Sequence, residues 1–488
     1  VTAQQAAQQA AQETAQRNAV VELVRIAPIA DELAARFAAA GHQLYLVGGS
    51  VRDALLGRLS SDLDFTTDAR PQQIMELVKG WADAIWDTGI AFGTVGAARR
   101  GTTVEITTFR ADSYDRVTRN PEVQFGDSLE ADLVRRDFSV NAMAVDLASK
   151  TFVDPYGGMQ ALAQRLLDTP ATPEESFADD PLRMMRAARF ASQLGFTLAP
   201  RVRTAMTEMA GEITRITAER VQMEISKLLC GAQPRLGIEL LVESGIAEHV
   251  LPELPAMRLE IDEHHQHKDV YQHSLVVLEQ AIDLEEPDES PDLVLRIAAL
   301  LHDIGKPRTR RFTPGGGVSF HHHEVVGAKM ARKRLRELRY SKEIVEDVAN
   351  LVYLHLRFHG YGKGEWTDSA VRRYVTDAGD LLPRLNKLVR ADCTTRNKRK
   401  AAALQRSYDD LEERIARLAE EEDLAKVRPD LDGNEIMKIL GIPPGPMVGK
   451  AWQHLKELRL DNGPMAHEDA VAALLSWAKA QGLGAPEA

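Results

Sequence analysis

Two aspartates one residue apart, Asp62 and Asp64, closely follow a Gly48-Gly49-Ser50 turn. In an extended segment, side chains two positions apart project from one face, so both carboxylates can share divalent metal ions. The apolar lead-in at Leu44, Leu46 and Val47 reads as a short buried strand. It stops at glycines, where unshielded backbone amides let a phosphate approach closely. Residues 51–59 can then turn into a helix carrying Arg52 near its positive end. Neither feature is specific alone, because Asp-x-Asp triplets and Gly-Gly turns are common in solvated loops. Together, in this order and this close, they point to nucleotidyl transfer.

Further chemistry lies downstream. Glu105, in TTVEITTF, alternates with apolar neighbours as a strand residue does, and could supply a third carboxylate. In RRDFSVNA, Arg136 offers a planar fork for phosphate or ribose oxygens, and Asp137 can accept from ribose hydroxyls. DDPLRMMR reads as a helix start, with Pro181 early and acids at the N-terminus; capping accounts for Asp179. Asp180 and Arg183, three residues apart, are expected to share a helical face. A fixed acceptor beside a fixed donor could take cytosine and adenine, and reject guanine and uracil.

A separate set occupies the second half: His302-Asp303 in ALLHDIGKP, with His273, His323-Glu324, His355 and Asp392 around it in sequence. An Asp buried on an apolar helix needs a partner or a cation. Mixed nitrogen and oxygen donors suit several divalent metals, and the sequence does not choose among them.

These residues need several domains to hold them, and 488 residues exceed what one core usually organises. The composition is globular, with 44% hydrophobic and 27% charged residues. No apolar run is long enough to span a bilayer, and the N-terminus does not read as a secretory signal. Two cysteines, Cys230 and Cys393, fit reduced thiols in a cytoplasmic protein. A net charge of −12 does not favour a polyanionic partner, but charge is unevenly placed. Seven basic residues and one acidic residue fall within 329–342, and a second basic cluster spans 396–400. Short β-rich runs at 43–47, 63–66, 94–97, 102–108 and 142–147 indicate a small sheet, and helical periodicity dominates beyond 159. Residues 1–20 read as a frayed helix or disordered tail, and an amphipathic helix covers 19–40.

GGSVRD with SDLDF, then RRDFSVNAMAVD, then DDPLRMMRAARF, resembles the class II tRNA nucleotidyltransferase and bacterial poly(A) polymerase family. The resemblance implies an α+β protein: a small-sheet, DNA polymerase β-like head, an all-α neck and body, and an all-α HD domain. The boundaries expected are a tail at 1–20, head at 21–158, neck at 159–260, HD domain at 264–400 and a C-terminal helical region at 401–488. It also implies Mg²⁺ on Asp62 and Asp64, and triphosphate contacts from Gly48, Gly49, Ser50 and Arg52. Arg136 and Asp137 would read the ribose, Asp180 and Arg183 the base, and Arg186 would position that pair. Asn141 belongs to the same nucleotide-binding motif. Residues 110–132 match the family's flexible loop. The second half resembles the HD phosphohydrolase superfamily, which implies a divalent metal of undetermined identity on His273, His302, Asp303 and Asp392. His323 would be a further ligand or a phosphate contact, with His355 a weaker candidate. The expected activity is addition of CCA to the acceptor end of tRNA from CTP and ATP. The alternatives are poly(A) polymerase, a partial CC- or A-adding enzyme, a phosphohydrolase with an RNA-binding head, or a noncatalytic RNA-binding protein. The sequence gives no oligomeric state.

Overall fold

The structure is a computed structural model describing residues 3–110, 125–126, 128–258, 269–314, 317–358, 366–395, 397–422 and 428–483. The chain divides into two compact units, Val1–Leu251 and Pro252–Ala488. Among the described residues no helix is long and apolar enough to cross a membrane.

The first unit is built on a mixed seven-stranded sheet ordered β3-β4-β5-β2-β1-β6-β7. Its strands are β1 (Leu44–Val47), β2 (Asp62–Thr67), β3 (Ala84–Trp86), β4 (Thr94–Arg99), β5 (Thr102–Thr108), β6 (Ala144–Asp146) and β7 (Phe152–Val153). β1 is buried throughout, as its unbroken apolar run requires, and pairs antiparallel with β2 and β6. β2 and β5 run parallel. β3 and β7 escaped the sequence reading because each is a very short strand near an edge of the sheet.

Of the two expectations for residues 1–20, a frayed helix or a disordered tail, the structure has helix: one helix, Ala3–Ala39, runs through the segment and on into the next. Ala and Gln favour helix without needing an apolar stripe. The inner part of that segment is also tied down: Ala15 is buried, and Asn18 donates to the Leu55 carbonyl at 3.3 Å. After the sheet come helices Pro173–Asp179, Leu182–Leu194, Ala218–Leu229 and Pro234–Glu243. These neck helices share the first compact unit with the head.

In the second unit, helices Val270–Asp283, Leu293–Leu301, His323–Glu337, Lys342–Leu354, Asp368–Ala378 and Leu382–Ala391 pack around a common core. Helix Lys398–Glu422 crosses the boundary expected at 400 and packs on its two predecessors, so it belongs with this bundle. Helices Gly433–Leu440, Pro446–Asn462 and His467–Ala480 enclose a small core of their own around Ile436, Leu455 and Leu474. The basic stretch at 329–342 is partly neutralised locally. Arg332 and Arg336 meet Glu346, and Arg334 meets Glu253 and Glu337. Arg396 of the other basic cluster lies outside the described residues.

Candidate active site and metal centre

β1 delivers the chain into Gly48, whose φ of 69° is left-handed. That backbone conformation calls for glycine, and a Cβ there would also lie 2.8 Å from the end of the Arg136 side chain. The helix that follows is Gly49–Leu55, starting earlier and ending sooner than its sequence pattern suggests. The Ser50 hydroxyl accepts the backbone N–H of Asp64 at 2.9 Å and ties this turn to β2.

Asp64 and Glu105 occupy one register position of the parallel β2–β5 pair. Leu63, Phe65, Val104 and Ile106 point into the core, so Asp62, Asp64 and Glu105 stand together on the open face. Asp64 is open to water on that face but hemmed in by protein behind it. This desolvation, then Glu105, pushes its carboxyl up to about 6; Arg136 and Arg52 pull downward, and Asp62 adds to the rise. An all-oxygen donor set whose carboxylates oppose one another's ionisation fits a hard divalent cation.

Behind this face runs a continuous chain of polar contacts. Arg52 Nη1 donates to Asn141 Oδ1 at 2.7 Å, while its Nε and Nη2 hold Asp53, both at 2.9 Å. Asn141 Nδ2 donates to Asp137 Oδ1 at 3.0 Å, and Arg186 Nε donates to Asp137 Oδ2 at 2.7 Å. The Phe190 ring lies beneath Arg52, Arg186 and Arg189 at 5.2, 5.7 and 4.4 Å. Burial alone would raise the Asp137 carboxyl, but Arg186 and the Asn141 amide hold it well below the usual range. Arg186 therefore grips Asp137 directly.

The Asp180 and Arg183 pair differs from expectation. The helix begins at Leu182, so Asp180 precedes it in an extended conformation, φ −139° and ψ 98°. Pro181 explains this, because a residue before proline is pushed out of the helical region. Asp179 ends the previous helix rather than capping this one. Asp180 meets Arg220 at 2.8 Å, whereas buried Arg183 donates to Ser176 Oγ at 3.0 Å and the Arg135 carbonyl at 2.5 Å. Arg220 and Ser176 were invisible to motif reading, since nothing in the local sequence links them to the pair.

Within 110–132, residues 111–124 and 127 lie outside the described residues. Asp132, read as part of a loop, is instead a fully buried helical residue in Leu129–Val134. It accepts from Arg135 at 3.1 Å, Arg136 at 3.0 Å and the Arg110 N–H at 3.2 Å, so it sets the Arg136 fork beside Gly48.

The second unit gathers its six donors more tightly. His302, His355 and Asp392 are the C-terminal caps of helices Leu293–Leu301, Lys342–Leu354 and Leu382–Ala391. Three helix C-termini, each partly negative, thus end beside one cluster, which favours a cation there. His302, His323 and His355 each pair Nδ1 with the carbonyl three residues back, at 2.8, 2.9 and 2.6 Å, leaving Nε2 for the centre. His273 Nε2 lies 2.9 Å from Asp392, and His302 and His323 Nε2 lie 3.2 Å from Asp303. Donor atoms of His273, His302 and Asp392 lie within 4.8 Å of one another, as do those of Asp303, His323 and His355. Among the described residues these are the two groups of that tightness; the head carboxylates are more open. Gly305 permits the assembly, because a Cβ there would meet the His323 carbonyl at 2.1 Å.

Burial works against a charged His302, but Asp303 and Asp392 outweigh it and push the ring up to about 10. Burial and then the His302 charge push His355 down to about 3. The buried His355 Nε2 has no hydrogen-bond partner. Carboxylates that would draw a proton onto His302 would equally draw a metal cation in its place, and the orphaned His355 Nε2 offers a further donor, so the cluster fits a divalent metal.

The chain matches three families: the poly A polymerase head domain over residues 44–168, the probable RNA and SrmB-binding site of polymerase A over 195–257, and the HD domain over 270–424. An A-adding tRNA nucleotidyltransferase of Deinococcus radiodurans is 34% identical over 445 residues, 89% of this chain and 95% of that protein. The chain belongs to the tRNA nucleotidyltransferase and poly(A) polymerase family, with an HD domain fused behind it.

Other members of this family match a shorter stretch of the chain. CCA-adding enzymes of Anoxybacillus flavithermus and Geobacillus kaustophilus are 42% and 43% identical over 222 and 217 residues. Those matches cover 45% and 44% of this chain and only 54% and 52% of the relatives, about half their length. The solved CCA-adding enzyme of Bacillus stearothermophilus in complex with CTP superposes with a TM-score of 0.67 at 25% identity, covering 92% of this chain and 97% of that one.

Proposed function

We propose that this chain rebuilds the CCA end of tRNA without a template, drawing on CTP and ATP. In this reaction the terminal 3′-hydroxyl attacks the α-phosphate of the nucleotide and pyrophosphate leaves. Asp62, Asp64 and Glu105 would hold Mg²⁺, which when bound lowers the pKa of the hydroxyl and offsets charge on the phosphorus oxygens. Gly48 and Gly49 leave backbone room for the triphosphate. Ser50 accepts from Asp64 and keeps its own proton to donate to a phosphate oxygen. Arg52 and Arg136 supply positive charge on the same side. Asp137, gripped by Arg186 and Asn141, presents a fixed anion to ribose hydroxyls, and Asp180 with Arg183 reads the base once a nucleotide displaces their present partners. The observation that carries this reading is the Asp62, Asp64 and Glu105 trio on one open sheet face beside both arginines. We assign the reaction to the cytoplasm.

One observation favours a second reading, A addition alone: the relative matched over 95% of its length is an A-adding enzyme. Incorporation into tRNA lacking its last three residues, with each nucleotide alone and then CTP with ATP, separates the two. Ordered addition stopping at C, C, A supports the main reading; incorporation only onto a CC end supports the second; a long A tail contradicts both. In the HD half, the six-donor cluster supports metal-dependent phosphohydrolysis as a separate activity.

A further inference from the structure

The sequence motifs leave unused the segment that joins two of the HD donors. Between Asp303 and His323 the chain makes a two-stranded hairpin, Arg311–Phe312 against Val318–Ser319. Both of its ends are fixed at the cluster. On the entry side Lys306 Nζ lies 2.9 Å from Asp303 Oδ2. On the exit side the Phe320 carbonyl accepts from His323 Nδ1, and Lys306 lies over the Phe320 ring at 5.7 Å. The hairpin can therefore reach only a few residues' length from the donors at either end.

Its composition is one-sided. Residues 304–323 hold four cations, Lys306, Arg308, Arg310 and Arg311, and no carboxylate, in a chain whose net charge is −12. The three arginines are exposed. Phe312 is 66% exposed, although a large aromatic in water gains nothing for the fold, and its only described ring partner is the Arg310 guanidinium at 5.2 Å. An exposed ring flanked by guanidinium groups suits an unpaired base with its phosphates.

We propose that this hairpin is a binding arm for the terminal nucleotide of a single-stranded RNA, with the base on Phe312 and phosphate oxygens on Arg310 and Arg311. The arm would hold that end beside the HD donors. The proposal rests on reading the cluster as a phosphate-handling centre, so the test reads binding without hydrolysis. A six-residue RNA ending in 4-thiouridine 3′-phosphate is photo-crosslinked to the full chain in EDTA, and the attachment points are mapped by mass spectrometry. A crosslink is expected at Arg308, Arg310, Arg311 or Phe312. It should fall at least about five-fold in Phe312→Ala and in Arg310→Ala and persist in Phe312→Trp, while CCA addition by the head stays unchanged. Crosslinks confined to the head, or insensitivity to Phe312→Ala, would overturn the proposal. Competition by uridine 3′-monophosphate at the same concentration as the oligonucleotide would equally overturn it, by making the ligand a free nucleotide. Loss of phosphohydrolysis with an intact crosslink would count against the HD activity and leave the arm standing.

Discussion

Asp64 on β2 and Glu105 on β5 face each other across a parallel strand pair at the same register, and Glu105 is the charged neighbour that most raises the Asp64 carboxyl. The two residues lie far apart in sequence, yet the account makes them one site. Glu105→Gln should lower nucleotide incorporation at least about ten-fold with tRNA binding unchanged. Single-turnover kinetics over a Mg²⁺ titration check this, and an unchanged Mg²⁺ dependence would place Glu105 outside the site.

Asp137→Asn should destabilise the first unit, because it leaves Arg186 without its buried counter-charge. Arg186 is partly open to water, so the loss is about 2 kcal/mol rather than the larger value of a fully enclosed pair. The sign with pH follows from the depressed carboxyl of the folded state. Its stabilisation is fully present above the unfolded value, near about 3.9, and is lost as pH falls through the lower folded value. Urea unfolding of both proteins should therefore show a constant deficit from pH 7 to pH 5 that shrinks only in stronger acid.

Arg183→Ala should relax discrimination among the four nucleotides. The same change removes the contacts to Ser176 and to the Arg135 carbonyl, so a lower unfolding midpoint should accompany it. Unchanged selectivity in a destabilised protein would make Arg183 structural only.

His355→Ala should weaken divalent metal binding in the HD half about ten-fold or more and leave incorporation by the head intact. Equilibrium dialysis against Mn²⁺, using Asp64→Asn protein to silence the head, measures it. Metal at a hundred times its dissociation constant should stabilise the wild-type second unit by about 2.7 kcal/mol, an effect EDTA removes.

Much of this was legible in the sequence because the information is local. Period-two alternation put Asp62 and Asp64 on one face, and the glycines marked the turn before them. Glu105 was legible as a candidate third carboxylate, but its register opposite Asp64 was not, because that depends on which strands become neighbours. Asp180 was misplaced because Pro181 was read as an early helix residue, when its stronger effect is to keep the preceding residue extended. The burial of Asp132 is not legible in sequence, because its three partners come from tertiary packing and an adjacent turn. The place of His355 in the cluster is not legible for a similar reason. A single histidine at a helix end gives no pattern, and only the convergence of three helix C-termini reveals it.

The most direct test is Asp64→Asn, assayed for incorporation of CTP and ATP into tRNA lacking its CCA end, alongside tRNA binding. The account predicts a loss of incorporation of about 10³-fold or more, with tRNA affinity within about three-fold of wild type. Near-normal turnover in that variant would contradict it and remove the head from the chemistry.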